Sequence, residues 1–196
     1  DLEEIFTSSS MEAVSEFAKA QALAADWKHE EAVTHYERAV AKDANFGRAY
    51  GGWAYSSFVL GQLEQSKALW DKCLPLLGAM TERERLRTLG IYYMTISGNI
   101  DKAIESYRTL IKQYPADAAA LNNLAVAYFT IGRLNDARDA GARLLDIFPD
   151  NLLFLSNYAL YNMYIADLPK AAQYAQHTLT KDPNYYVAYL PLAVGA

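Results

Sequence analysis

One cysteine, three histidines and no long apolar run leave several classes of protein without support in this sequence. A lone Cys73 cannot close an internal disulfide, so the fold does not depend on an oxidising compartment. His29, His35 and His177 are scattered, and Cys73 has no Cys-x-x-Cys partner, so no metal and no cofactor are expected. The longest uncharged stretch runs from Asn151 to Ala166 and carries Asn157 and Asn162. It falls short of the roughly 20 apolar residues of a membrane span, so no direct membrane insertion is expected. Lys and Arg number 18 against 23 Asp and Glu, a formal charge of −5, which gives no electrostatic reason to bind nucleic acid. A glycine-rich phosphate loop, a catalytic His-Arg-Asp and an Asp-Phe-Gly are all missing, and no pair of carboxylates stands out. No catalytic residue is assigned, and the chain is expected not to be an enzyme. It begins at Asp1 without a methionine or a signal-type start and its last residues stop inside an apparent helix, which predicts a piece of a longer protein.

What is present is periodicity. Apolar residues make up 52% of the 196, enough to bury a substantial core. Pro115, Pro149 and Pro183 lie 34 residues apart, as do Ala103, Ala137 and Ala171. Ser66 precedes Ala103 by 37 residues and follows Ala32 by 34, which places a three-residue insertion near Gly78 to Thr81. Gly61, Gly98 and Gly132 each fall five residues before the small residue of the second helix, where a left-handed residue lets the chain reverse; Ala166 takes that place in the fifth repeat, and the first turn, Asp26 to Lys28, has no glycine. Each repeat therefore reads as helix A, a tight turn and helix B. Thr81 with Glu84, and Ser9 with Glu12, are expected to form capping boxes. Pro169 falls in the first turn of a helix B, where its missing N–H costs little. Ala54, Ala125 and Ala159 are the close-approach points of helix A, with Trp53, Leu124 and Tyr158 one place earlier and Tyr36, Trp70 and Tyr107 from helix B packing around them. Cys73 aligns with Ala39 and reads as a buried small side chain. The alternating charges Glu82, Arg83, Glu84 and Arg85 read as a solvated face.

These positions predict an all-α chain: a right-handed superhelix of stacked antiparallel helical hairpins, about five repeats plus a truncated sixth helix A. The units span about 13–46, 47–83, 84–117, 118–151 and 152–185, with 186–196 opening the sixth, in a single array over 1–196. The hairpin carrying Leu121, Leu124, Ala125, Tyr128, Gly132, Ala137, Leu144 and Pro149 resembles the tetratricopeptide repeat (TPR), and the resemblance covers nearly the whole chain. Ala44 and Ser66 depart from its pattern. Thr7 to Ala13, Thr81 to Leu86 and Leu121 to Ala125 resemble, more narrowly, the repeat region that follows the kinase and membrane segments of some bacterial serine/threonine protein kinases and that occurs in cyclases and transcriptional regulators. That resemblance implies part of a bacterial signalling protein, cytoplasmic, or extracytoplasmic if a membrane segment precedes it.

In such a superhelix the helix A residues turned away from the packing face line the concave side. At about 100° per residue these are Arg48, Tyr55 and Phe58, then Arg85, Tyr92 and Thr95, then Asn122, Asn123 and Phe129, then Ser156, Asn157 and Tyr164. Aromatic rings bury apolar side chains, and a carboxamide both donates to and accepts from a peptide backbone, so the expected partner is a protein or peptide. Resemblance to peptide-binding TPR domains points first to Asn123 and Asn157. The family's basic carboxylate clamp is not reproduced: Lys19 is placed on the packing side, leaving only Arg48 and Arg85. The apolar, uncharged segment from Tyr185 to Ala196 makes self-association through the C-terminal end one rival expectation, and cis regulation of a kinase or cyclase whose catalytic domain lies outside this sequence is the other.

Overall fold

The computed structural model describes residues 6–194 and is helical throughout its regular structure. Ten helices alternate in the predicted A and B order: α1 (Met11–Ala25), α2 (His29–Lys42), α3 (Gly47–Val59), α4 (Leu63–Cys73), α5 (Glu82–Thr95), α6 (Ile100–Gln113), α7 (Ala118–Thr130), α8 (Leu134–Ile147), α9 (Leu152–Tyr164) and α10 (Leu168–Lys181). A 3-10 turn over Tyr186–Ala188 and a short α11 (Tyr189–Val194) follow. Gly195 and Ala196, the end of the expected sixth helix A, and Asp1 to Ile5 at the other end, lie outside the described residues.

The chain divides into two compact units, residues 1–99 and 100–196. In the first, α1 pairs with α2 and α3 with α4, and α5 packs on α3. In the second, α7 pairs with α8 and α9 with α10, while α6 packs on α7 and α11 on α10 and α9.

Local sequence explains why the hairpins form where they do. Side-chain caps open α1, α7 and α9, though not α3: Ser10 accepts from the Ala13 N–H at 3.2 Å, Asp117 from Ala120 at 2.9 Å and Asn151 from Phe154 at 3.2 Å. Thr81 and Glu84 form the expected capping box. Ser9 and Glu12 do not; Ser10 caps α1, and the Ser9 N–H donates to Asp43 instead, at 3.1 Å. The reversal points are left-handed as predicted, with φ of 77°, 67° and 74° at Gly61, Gly98 and Gly132 and 62° at Ala166. Trp27, at φ 61°, occupies the same place in the glycine-free first turn. The predicted insertion is a 3-10 helix over Leu74–Ala79 that prolongs α4 and ends at the Thr81 cap.

Packing follows the period. The small residues Ala32, Ser66, Ala103, Ala137 and Ala171 are fully buried, and so are Tyr36, Trp70 and Tyr107 around them, to within 1%. Burying an aromatic of this size is worth about 2–3 kcal/mol, so these rings carry much of the adhesion between neighbouring helices. Cys73 is buried too, its thiol 3.3 Å from the Gly47 carbonyl oxygen, and burial pushes its pKa up to about 12. It stays a thiol and serves as packing.

Glu84 departs from the expected solvated face. It is fully buried, and its carboxylate accepts from the Thr81 N–H at 2.9 Å, from the Thr7 N–H at 3.0 Å and from the Thr7 hydroxyl. Alternating charge on a helix implies exposure only when nothing covers one side. Here the segment before α1 does, with Phe6 set against Phe17 and Phe46 at centroid distances of 5.2 and 6.2 Å.

Candidate functional site

In the first unit the candidates separate. Arg48 is 4% exposed and does not line an open surface: its guanidinium lies over the Phe17 ring at 5.6 Å and reaches the Thr88 hydroxyl at 3.4 Å. Its angle on the helical wheel is that of a groove residue, but α1 and α5 flank α3 and cover the side chain. Tyr55 is partly buried with its ring edge-on to His29 at 5.8 Å, and burial raises its hydroxyl pKa. Tyr92 packs edge-on against Trp70 at 5.3 Å and beside Tyr93 at 5.7 Å. Phe58 is half-buried. Arg85 keeps 43% of its side chain exposed, within 3.9 Å of Glu82. Lys19, expected on the packing side, is exposed and pairs with Glu16 at 2.7 Å; together with His35 it holds the Glu16 carboxyl down to about 2.

In the second unit the amides come together. Asn157 on α9 donates from Nδ2 to Asn122 Oδ1 on α7 at 3.1 Å, and Asn122 donates in turn to Asn123 Oδ1 at 3.3 Å. Asn123 and Asn157 are therefore joined through Asn122, a link that a 34-residue spacing cannot reveal. All three are partly exposed. The row ends with the Asn123 Nδ2 donor on one side and the Asn157 Oδ1 acceptor on the other, neither bonded among the described residues. Phe129 stands further along α7, its ring 5.4 Å from Tyr161 and 4.9 Å, edge-on, from Tyr164. Tyr164 is 54% exposed, so this pair presents an aromatic shelf. Ser156, placed on the open side by the helical wheel, is buried instead.

The histidines have structural partners. His29 is buried with Nδ1 3.2 Å from the Ser56 hydroxyl, and its pKa is lowered by burial. His35 meets Glu16 at 2.7 Å and His177 lies 3.6 Å from Asp150. Among the described residues no three His, Cys, Asp or Glu side chains gather as a metal site would require, and no helix is long and apolar enough to cross a membrane.

Antiparallel hairpins repeating at 34 residues, each reversed by a left-handed residue and packed through a small residue of helix B, define the tetratricopeptide-repeat fold. Residues 97–151 match the family model described as tetratricopeptide repeat. Among solved structures the chain is similar to TTC0263, a thermophilic TPR protein of Thermus thermophilus, with a TM-score of 0.65 and 17% identity over 93% of this chain and 98% of that one. YrrB, described as a TPR protein with an unusual peptide-binding site, gives a TM-score of 0.55 and 18% identity over 91% and 90%. The first TPR of Spaghetti (RPAP3), solved bound to the HSP90 peptide SRMEEVD, gives 0.55 and 20% over 58% of this chain and 90% of that one. At such identities the likeness is one of fold. No curated protein matches the chain.

Proposed function

We propose that this chain is a scaffold or sensor module that binds an extended peptide or protein segment, with its hairpins working as one array and the α7 and α9 face of the second unit as the principal contact. The observation that carries the reading is the amide row with two open ends. An open donor at Asn123 and an open acceptor at Asn157 match the carbonyl oxygen and N–H of a peptide backbone, and the Phe129 and Tyr164 shelf offers an apolar surface beside them. The row is pre-ordered by its own hydrogen bonds, so little side-chain freedom is lost on binding. Two neighbours in fold, YrrB and the Spaghetti domain, are described with a peptide site or a bound peptide, which supports the class of ligand.

The finer reading, part of a bacterial signalling protein whose kinase or cyclase domain lies outside this sequence, rests on the sequence motifs alone. The reading frame upstream decides it. A frame with no such domain removes it and leaves the binding reading intact.

The binding reading is tested by selecting linear peptides on the immobilised chain by phage display, then measuring a selected peptide by fluorescence polarisation. Two hydrogen bonds at about 1 kcal/mol each correspond to a loss of more than tenfold in Asn123→Ala, Asn157→Ala with the helical circular dichroism unchanged. If no peptide is enriched, or the double variant binds equally well, the assignment is wrong.

A further inference from the structure

The second unit carries two further open grooves, of about 530 and 600 Å³, and they are the same groove one repeat apart. The first lies between α6 and α8 over Leu124 and Tyr128 of α7, and the second between α8 and α10 over Tyr158 of α9. Ile111, Pro115 and Leu124 in one stand where Leu145, Pro149 and Tyr158 stand in the other, 34 residues on. Both therefore have an apolar floor. At 100° per residue Leu124 and Tyr128 fall on the far side of α7 from Asn122, Asn123 and Phe129, so these grooves are separate from the amide row.

Their rims differ in charge. Arg108, Lys112 and Arg143 border the first groove, and the matching residues of the second are Ala142, Asp146 and His177. The acids at the first rim already have cations of their own: Asp136 accepts from Arg133 at 2.8 Å, and Asp139 from Arg138 at 2.7 Å. Arg108 adds a weaker attraction to Asp136. Three cations thus exceed what the local acids neutralise, on a chain whose formal charge is −5.

We infer that the groove between α6 and α8 is a docking site for an acidic peptide segment, one aliphatic or aromatic side chain entering over Leu124 and Ile111 while flanking carboxylates meet Arg108, Lys112 and Arg143. A floor this apolar selects against a bare oxyanion, and its volume suits one or two side chains. Arginine at two of the three positions suits carboxylates, which its planar fork binds through two oxygens. The groove one repeat on, with Asp146 and His177, serves as an internal control.

The test is a nitrogen–proton correlation spectrum of the whole chain titrated with a capped tetrapeptide, acetyl-Glu-Leu-Phe-Glu-amide. Saturable shifts are expected at Ile111, Lys112, Leu124 and Ala140, without matching shifts at Leu145, Asp146 and Tyr158. Affinity should drop at least tenfold in Lys112→Asp, Arg143→Ala, whose exposed positions leave the core intact, and the amide-row variant Asn123→Ala, Asn157→Ala should bind as the unmodified chain does. Equal shifts in both grooves, equal binding of the peptide with lysines in place of its glutamates, or no shifts at millimolar peptide would each overturn the inference.

Discussion

Gly52 lies in the middle of α3, where alanine ordinarily stabilises a helix by about 0.8–1 kcal/mol over glycine. In this chain Gly52→Ala should do the opposite. A Cβ at that position falls 2.5 Å from Tyr36 Cε1, 2.6 Å from Cζ and 2.8 Å from the hydroxyl oxygen, roughly 1 Å inside a comfortable carbon contact. Tyr36 has nowhere to go: it is 1% exposed, its ring lies 6.0 Å from that of Phe17, and its hydroxyl takes a hydrogen bond from Gln21. Overpacking of this kind costs about 1–3 kcal/mol, and losing the hydrogen bond adds about 0.5–1.5 kcal/mol. Set against the gain in helix propensity, the net loss is about 0.5–3.5 kcal/mol. Urea unfolding followed by tryptophan fluorescence reads this directly, because Trp27, Trp53 and Trp70 all belong to the first unit. Gly51→Ala is the comparison, since its nearest contact would be Thr88 Cγ2 at 3.3 Å, and its penalty should be smaller than that at Gly52. In a Tyr36→Leu background the penalty at position 52 should vanish and the propensity gain return. A Gly52→Ala midpoint equal to or above that of the unmodified chain would refute the reasoning.

Two further outcomes follow from strain and charge. Ala166 holds φ 62° without being glycine and Gly132 holds 74°, so Ala166→Gly should stabilise the second unit by roughly 0.5–1 kcal/mol and Gly132→Ala should destabilise it by about 1–2 kcal/mol, read by thermal circular dichroism. Changes of the same sign would contradict the assignment. Burial lowers the pKa of His29 below its ordinary 6.5, so from about one pH unit above that value upward the group is neutral in both states and pH has no leverage through it. As pH falls below 6.5 the unfolded chain gains a proton that the folded chain refuses, and the first unit loses stability. Tryptophan-monitored urea midpoints should therefore fall more steeply between about pH 7.5 and 5.5 in the unmodified chain than in His29→Gln; parallel slopes would exclude His29 as the group.

Wherever the crossing and reversal of the two helices within a hairpin decide the environment, the sequence was sufficient. The small residues of helix B had to be buried because two helices cross there, and the left-handed turns had to fall five residues earlier because the chain must reverse. The same logic foresaw Ala166, which no composition rule would nominate. What was not legible depends on contacts from outside the repeat. Arg48 lies at a groove angle yet is covered by α1 and α5, and Glu84 is buried by a segment 77 residues away in sequence. No amide stands at the matching place in the first unit, where α3 has Gly52 and α5 has Leu89. Gly52 occupies in α3 the place that Asn123 and Asn157 hold in α7 and α9, and Tyr36 fills the space a side chain would need. The internal link through Asn122, and the charge reversal between two otherwise equivalent grooves, likewise appear only once the helices are placed side by side.

The buried carboxylate of Glu84 bears on how the first unit comes together. In a plain stack of hairpins every contact is local, folding can start in any repeat, and the terminal repeat frays first. The bonds from Thr7 to Glu84 close a loop spanning most of the first unit, and the ordering entropy of that closure is recovered only after α1 to α5 are in place. Until then the Glu84 side chain has only its local donor, the Thr81 N–H, and the two donors of Thr7 arrive last. The first unit should therefore behave as one cooperative block, its outermost helix no easier to open than its innermost, in contrast to the progressive fraying of an unlatched array.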